Sequence, residues 1–159
     1  MKVRAGIGYD VHQFAEGRPL VLGGVIIEHE RGLAGHSDAD VLSHAIADAV
    51  LGAMGEPDIG YFFPPGDPDC EGISSLKILE KCRERAGELG WDLQNVDATV
   101  VAEAPKILPH VGAMKARIAR ALGVEPGQIG LKATTNEQMG FVGRKEGIAA
   151  LATALVTGK

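Results

Sequence analysis

Three stretches with apolar residues at helical spacing constrain the fold of this 159-residue chain most strongly. We expect the first helix to be capped by Ser37 or Asp38. The second is predicted from Ser74 to Gly90, and the third over residues 104–122. Each apolar stripe must be buried against another element. The stripes are Leu42, Ile46, Ala49, Val50 and Ala53 in the first helix, Leu76, Leu79, Cys82, Ala86 and Leu89 in the second, and Leu108, Val111, Met114, Ile118 and Leu122 in the third.

Segments rich in valine, isoleucine and threonine alternate with these helices and predict strands. Residues 148–156 fit a helix by their alanines and a buried strand by their apolar run, so both alternatives stay open. The order of elements predicts an α/β or α+β layered fold. The predicted strands are residues 3–11, a hairpin over residues 21–27 around Gly23-Gly24, residues 96–102 and residues 129–135.

Composition narrows the class of protein. The chain is 45% hydrophobic and 23% charged, close to the globular average, and its length suits one domain over residues 1–159. No apolar run is long enough to predict a membrane span or a signal peptide. Two cysteines, Cys70 and Cys82, are too few for a disulfide framework, so we expect a cytoplasmic protein. The net charge of −5 argues against nucleic-acid binding and requires local cations for any anionic substrate.

A candidate metal site begins with Asp10 and His12, which point to the same face of a strand. His44 lies on the first helix, one turn from both Asp40 and Asp48. If this helix packs on that strand, Asp10, His12 and His44 form a three-ligand set with an open fourth position, as in catalytic zinc sites. Asp40 or Asp48 could then accept the other ring N–H of His44. The alternative is a surface polar pair and a helix face of solvated charge.

Two further polar segments suit phosphate. His36 and Ser37 precede the first helix, where free N–H groups attract anions, although Ser37 also fits a simple cap. Residues 132–137 follow a predicted strand and offer hydroxyls and Glu137, a ligand suited to Mg²⁺ or Mn²⁺, although they also fit a polar turn. The dinucleotide-binding and P-loop fingerprints are absent from the sequence.

In this order and spacing the motifs resemble one family, the 2-C-methyl-D-erythritol 2,4-cyclodiphosphate synthases of the non-mevalonate isoprenoid pathway. The resemblance covers almost the whole chain. Pro65-Gly66 stands where the family usually has Asp-Thr, and Tyr9 replaces a common Phe. The matching motifs are Gly8-Tyr9-Asp10-Val11-His12, Leu22-Gly23-Gly24-Val25, His36-Ser37-Asp38-Ala39-Asp40-Val41, Asp58-Ile59-Gly60, Ala104-Pro105-Lys106, and Lys132-Ala133-Thr134-Thr135 through Glu137 to Gly140-Phe141.

The resemblance implies an α+β domain whose mixed sheet carries helices on one face, assembled as a homotrimer with the sheets around the three-fold axis. Each active site then lies between neighbouring subunits. The resemblance also implies a Zn²⁺ ion held by Asp10, His12 and His44. It further implies a Mg²⁺ or Mn²⁺ ion held by Glu137 and the substrate phosphates.

Other site residues follow from the resemblance alone. It implies that His36 and Thr135 stabilise the transition state. Phe141 and Arg144 match positions near the trimer axis, where the family has a cavity for isoprenoid diphosphates. The implied substrate-binding residues are Ser37, Asp58, Gly60, Phe63, Asp67, Ala102, Pro105, Lys106, Ile107, Leu108, Thr134, Phe141 and Arg144.

The implied reaction closes a ring. The 2-phosphate of 4-diphosphocytidyl-2-C-methyl-D-erythritol 2-phosphate attacks the β-phosphorus of the same molecule, and CMP leaves. Metal ions would offset the repulsion between the anionic groups. Two alternatives stay open: a metal-dependent nucleotide hydrolase, which would add water oxygen to a linear product, and a non-catalytic trimeric module, which would release no CMP.

Overall fold

The computed structural model describes residues 1–158, and the predicted domain end at residue 159 lies outside this part of the chain. Strands and helices alternate, and the tail that fitted either a helix or a strand is a strand. The elements are β1 (Lys2–Ala15), β2 (Leu20–Leu22), β3 (Val25–Ile27), β4 (Gly32–Leu33), α1 (Val41–Met54), α2 (Ile59–Phe62), α3 (Ser75–Leu89), β5 (Trp91–Val101), α4 (Val111–Leu122), β6 (Ile129–Thr134), α5 (Gly140–Gly143) and β7 (Gly147–Gly158).

The main sheet has five strands in the order β4-β1-β7-β5-β6. Strands β5 and β6 are parallel, whereas the other neighbours are antiparallel, so the sheet is mixed. The predicted hairpin forms the separate pair β2–β3. These features confirm the α+β prediction. Strand β7 is central and pairs with both β1 and β5. Its inward alanines lie in the core and its outward residues include Leu151 and Leu155, so the sequence reads as an apolar run.

The two faces of the sheet differ in what covers them. Along β1, the even-numbered residues from Gly8 to Phe14 point inward and are buried or half-buried, whereas the odd-numbered residues between them point outward and are exposed. Ile7 is 72% exposed and Tyr9 is 53% exposed on the outward face. The helices bury their apolar stripes against the inward face, in one core that includes residues from α1, α3, α4 and the sheet.

Helix α1 lies unusually close to β1. A Cβ atom at Gly6 would overlap the carbonyl oxygen of Ala49, and one at Gly8 would overlap the carbonyl oxygen of Ala45. Only glycine permits this approach of the two backbones. The close packing places residues of α1 within side-chain reach of the following inward residues of β1.

The first helix begins later than predicted. Its N-cap is Asp40, whose carboxylate accepts the N–H of Ser43 at 3.0 Å, and not Ser37 or Asp38. The side chains of Ser37 and Asp38 have other partners. The predicted second helix is confirmed between its caps Ser74 and Gly90, the latter in the left-handed conformation that glycine favours.

The third helix also begins later than predicted, at Val111 rather than at residue 104. The preceding residues form a loop and a single 3-10 turn over Leu108–His110. Leu108 is 81% exposed, so it is not part of the apolar stripe. Leu89 of the second stripe is exposed as well. Both residues fit the helical spacing, but the chain turns away from the core at each of them.

Both cysteines, Cys70 and Cys82, are buried and free. Burial raises the pKa of the Cys82 thiol to about 12, so this thiol stays neutral. Within residues 1–158, no helix has the length and apolar character that a membrane crossing requires.

Candidate metal centre and substrate pocket

The structure brings Asp10, His12 and His44 together as predicted. Oδ2 of Asp10 lies 3.0 Å from Nε2 of His12 and 3.0 Å from Nδ1 of His44. The two ring nitrogens are 3.1 Å apart. These three atoms therefore form a nearly equilateral triangle, and the residues form a group that could hold a metal ion.

The sides of the triangle are slightly shorter than the distances between the ligand atoms of a zinc ion. Tetrahedral zinc with bonds of roughly 2.0–2.1 Å separates its ligand atoms by about 3.3 Å. The outer nitrogen of His12, Nδ1, lies 2.7 Å from the carbonyl oxygen of Ala34. Because a carbonyl oxygen only accepts, Nδ1 donates and Nε2 is left to face the metal position.

The outer nitrogen of His44 contacts hydroxyl groups. Its Nε2 lies 2.9 Å from Oγ of Ser75 and 3.1 Å from Oγ of Ser37. Ser75 is the first residue of α3 and is fully buried. Ser75 was not among the predicted site residues, because nothing in the sequence indicates that the start of α3 faces the middle of β1.

The prediction that Asp40 or Asp48 orients His44 is wrong. Both carboxylates hold backbone groups instead. Asp40 accepts the N–H groups of Gly23 and Gly24 at 2.9 and 2.7 Å, which fixes the β2–β3 turn on α1. Asp48 accepts the N–H of Ile59 at 2.9 Å, which fixes the start of α2.

Charges within the triad shift the pKa values of Asp10 and His12. Burial alone would raise the pKa of Asp10, but hydrogen bonds and charge from the protonated rings of His12 and His44 hold it well below its usual range. Burial alone would lower the pKa of His12, but the hydrogen bond and charge of Asp10 raise it above the usual value. Asp10 is therefore an anion at neutral pH, as a metal ligand must be.

A pocket of about 230 Å³ opens beside the triad. Besides the three residues of the triad, its wall includes four further predicted residues, namely His36, Ser37, Gly60 and Phe63. Residues that were not predicted complete the wall: Ile59, Pro65, Cys70, Ile73 and Ile78. Most of these are apolar and come from the long loop after α1 and from α3, so only the folded chain reveals them.

Asp58 and Asp67, two predicted contacts, lie on the same loop outside the pocket wall. The carboxylate of Asp58 caps α2 by accepting the N–H of Tyr61 at 3.2 Å. The backbone carbonyl oxygen of Asp67 accepts from Nε2 of His36 at 3.2 Å. Asp67 therefore helps to orient His36 through its backbone.

Arg18 supports the segment that carries His36 and Ser37. Its guanidinium donates to the carbonyl oxygens of Gly35 at 2.5 Å and of Ser37 at 2.7 Å. Arg18 precedes β2 and carries no motif, so its role was not predicted. The bidentate contact fixes both sides of His36 and leaves that imidazole exposed.

The other predicted residues form a second cluster away from this pocket. The parallel strands β5 and β6 end side by side, and the N–H of Ala102 donates to the carbonyl oxygen of Thr134 at 3.0 Å. The carboxylate of Glu103, a residue that was not predicted, holds the turn around Glu137 by accepting two backbone N–H groups. Among residues 1–158, none of this cluster lines the pocket beside the triad: Ala102, Pro105, Lys106, Ile107, Leu108, Thr134, Thr135 and Glu137.

Phe141 and Arg144 lie at a third place, in and just after α5. Phe141 lines an opening of about 580 Å³ together with Val11 and Gln13 of β1. Arg144 is exposed and pairs with Glu146 at 3.0 Å. This opening borders the exposed outward face of the sheet.

The fold and the site define an α+β protein in which an aspartate and two histidines that could bind a metal ion lie beside a pocket. Residues 3–157 match the YgbB family, so the chain belongs to that family. The resemblance to 2-C-methyl-D-erythritol 2,4-cyclodiphosphate synthases is thereby confirmed, because a protein of that name from Synechococcus elongatus is 55% identical over 155 residues, covering 98% of this chain and 97% of that protein.

Solved structures of related proteins are also similar to this chain. The bifunctional IspDF of Campylobacter jejuni is 41% identical with a TM-score of 0.95 over 99% of this chain, which spans only 43% of that longer protein. The Plasmodium falciparum IspF, solved as a CDP complex, is 34% identical with a TM-score of 0.86, and the match covers 99% of this chain and 97% of that one.

Proposed function

We propose that this protein is a 2-C-methyl-D-erythritol 2,4-cyclodiphosphate synthase, a phosphorus–oxygen lyase. It converts 4-diphosphocytidyl-2-C-methyl-D-erythritol 2-phosphate to the 2,4-cyclodiphosphate and CMP. The observation that carries the proposal is the convergence of Asp10, His12 and His44 beside a pocket that also holds His36 and Gly60. The names of the relatives and the CDP bound to the Plasmodium protein support the cytidine nucleotide as substrate.

The triad suits zinc through its mixed oxygen and nitrogen donors and its three-ligand count. Zinc bound there would act as a Lewis acid on a phosphoryl oxygen. Glu137 is exposed and offers a hard oxygen ligand for Mg²⁺ or Mn²⁺ between the substrate phosphates. A chain with a net charge of −5 needs such cations to receive a substrate with several phosphate charges.

The residues of the chain bind and orient the substrate. An oxygen of the 2-phosphate forms a bond to the β-phosphorus, the bond from that phosphorus to the bridging oxygen breaks, and CMP leaves with the electron pair. The attacking phosphate is already ionised near neutral pH, so no general base is needed. Exposed donors at His36 and Thr135 would stabilise charge on the phosphoryl oxygens during the transfer. Because the attacking phosphate and the β-phosphorus belong to one molecule, holding them in line lowers the barrier further.

The two clusters become one site in a homotrimer. The pocket of about 230 Å³ is smaller than the roughly 300–1,000 Å³ typical of ligand sites, which supports a site completed by a neighbouring subunit. The second cluster on a neighbouring subunit would supply the cytosine contacts, from Ala102 and from residues 105–108. The outward face of the sheet exposes Val3, Ile7 and Leu151, a patch that subunit contact would cover.

Three further assignments accompany this proposal. An isoprenoid diphosphate would bind near the axis beside Phe141 and Arg144, where an aromatic ring borders an opening and a cation is nearby. Free, buried cysteines suit a reducing compartment, and we place the enzyme in the cytoplasm. One synthase domain spans residues 1–159.

The test is to incubate the purified protein with the cytidine diphosphate substrate, Zn²⁺ and Mg²⁺, and to follow products by ³¹P NMR. We expect CMP and a cyclic diphosphate in equal amounts, and none after metal removal by a chelator. Absence of the cyclic product in a folded, zinc-loaded protein would overturn the proposal.

A further inference from the structure

Ser75 and Asp38 form a chain of hydrogen bonds that ends on His44. The carboxylate of Asp38 accepts the N–H of Ser75 at 2.9 Å and the N–H of Asp40 at 3.1 Å. It also accepts the hydroxyl of Ser75. On its other side, Oγ of Ser75 lies 2.9 Å from Nε2 of His44. Ser75 is fully buried and Asp38 is half-buried, so the hydroxyl between Asp38 and His44 is shielded from water.

The direction of each hydrogen bond in this chain follows from the number of protons. A serine hydroxyl has one proton, and both carboxylate oxygens of Asp38 already act as acceptors of backbone N–H groups. The proton of Ser75 therefore points to Asp38, and its oxygen must accept from His44. This requires a proton on Nε2 of His44, so in the neutral ring the lone pair lies on Nδ1, the atom that faces Asp10 and His12.

We propose that Ser75 and Asp38 are positioning residues that hold His44 in the tautomer able to bind the metal ion. This inference rests on the proposed metal centre. It gives His44 the same arrangement that the carbonyl oxygen of Ala34 gives His12, with an acceptor on the outer nitrogen of each ligand. Ser37 leaves the tautomer open, because its hydroxyl proton is free to turn either way.

Ser43 provides a matched control. Its buried hydroxyl donates to the carboxylate of Asp40 at 2.8 Å, so Ser43→Ala removes the same kind of hydrogen bond. Ser43 is adjacent to His44 in α1, yet its hydroxyl hydrogen bond goes to Asp40 rather than to that ring. Comparing Ser75→Ala with Ser43→Ala therefore separates the positioning of His44 from a general loss of stability.

The experiment titrates the metal-free full chain with Zn²⁺ alone against a chromophoric chelator, after thermal unfolding has shown that each variant folds. We expect Ser75→Ala to bind zinc about 10–100-fold more weakly than the wild type, as for other partners of metal-bound histidines. Ser43→Ala should bind zinc nearly as well as the wild type. A loss in Ser75→Ala no larger than that in Ser43→Ala would overturn the inference.

A second variant reads the tautomer itself. In Asp38→Asn the amide can donate to Ser75, which turns the hydroxyl proton of Ser75 toward His44. Nitrogen-15 NMR of the neutral imidazole should show the proton on Nε2 in the metal-free wild type and a shift toward Nδ1 in Asp38→Asn. A proton on Nδ1 in the wild type would overturn the inference. A wild type with this Nε2 proton but no zinc affinity would instead overturn the proposed metal centre.

Discussion

Gly8 of β1 lies directly beneath the carbonyl oxygen of Ala45 in α1, with no room for a Cβ atom between them. This contact sets the distance between the strand that carries Asp10 and the helix that carries His44. We expect Gly8→Ala to push α1 outward and to lower the free energy of unfolding by about 1–3 kcal/mol, the usual cost of overpacking. Zinc affinity should fall as well, because the triangle of ligand atoms opens. Urea denaturation and zinc titration measure the two effects.

Gly112 of α4 is the matched control, since a Cβ atom there meets nothing within 4 Å. Gly112→Ala should leave zinc affinity unchanged and raise stability by at most about 1 kcal/mol. Equal behaviour of the two variants would contradict the role given to Gly8.

The affinity for zinc should depend on pH through His12. Protons compete with the metal because only a neutral imidazole offers a lone pair. The pKa of His12 is raised above 6.5, because the hydrogen bond and charge of Asp10 outweigh the effect of burial. As the pH is lowered, we therefore expect the zinc affinity to begin to fall while the pH is still above 6.5. The loss should be up to about tenfold per pH unit for each proton displaced. Calorimetric titration at several pH values measures this onset.

Asp10→Asn tests the cause. It removes the charge that raises the pKa of His12, so the fall should begin at lower pH, whatever the loss of overall affinity. The raised pKa of His12 also affects the stability of the metal-free protein, which should be greater at low pH. A raised pKa in the folded state stabilises the fold below pH 6.5, and this contribution is lost as the pH rises through the folded value. If zinc affinity begins to fall at the same pH in Asp10→Asn and in the wild type, this explanation is contradicted.

The triad of Asp10, His12 and His44 was predictable from the sequence, but the groups that support it were not. Alternation along a strand puts Asp10 and His12 on one face, and the glycines before them permit a helix to approach. Which carboxylate serves His44 depends on contacts between distant segments. Asp40 and Asp48 lie at the right helical spacing, yet backbone N–H groups from other loops occupy them.

Helix starts were the weakest part of the sequence-based prediction. Ser37 and Asp38 have side chains typical of caps, but one contacts His44 and the other binds the start of α3. The predicted apolar stripe of the third helix began too early, because Leu108 fits the helical spacing although it faces solvent. The tail stayed ambiguous for a physical reason. In β7 the inward residues Ala150, Ala152 and Ala154 are buried, but the outward residues Leu151 and Leu155 are apolar as well, so the sequence shows no clear alternation of apolar and polar residues.

The homotrimer can be tested at its proposed interface. Ile7 on the outward face of the sheet is 72% exposed, and Ile26 on the β2–β3 hairpin is 70% exposed. We expect Ile7→Asp to convert trimers to monomers, because a buried charge at the subunit contact is costly. Ile26→Asp should leave the trimer intact. Analytical ultracentrifugation distinguishes the two, and a trimeric Ile7→Asp protein would contradict the proposed interface.

A site shared between subunits predicts complementation. His44→Ala damages the pocket beside the triad, and Glu137→Gln damages the second cluster, so each variant alone should lose nearly all turnover. In trimers that mix the two variants, about a quarter of the interfaces combine an intact pocket from one subunit with an intact second cluster from its neighbour. Activity should recover toward that fraction. Co-expression of His44→Ala with Asp10→Asn, which damage the same half, should recover nothing. Recovery in both mixtures, or in neither, would contradict a shared site.

The origin of the oxygen atoms in the products tests the proposed reaction most directly. Turnover in water enriched in ¹⁸O, followed by mass spectrometry, distinguishes attack by the 2-phosphate of the substrate from attack by water. If the enzyme is a cyclodiphosphate synthase, CMP and the cyclic diphosphate will both lack solvent oxygen. A linear phosphate product or CMP carrying one ¹⁸O atom would identify a hydrolase and contradict the proposed function.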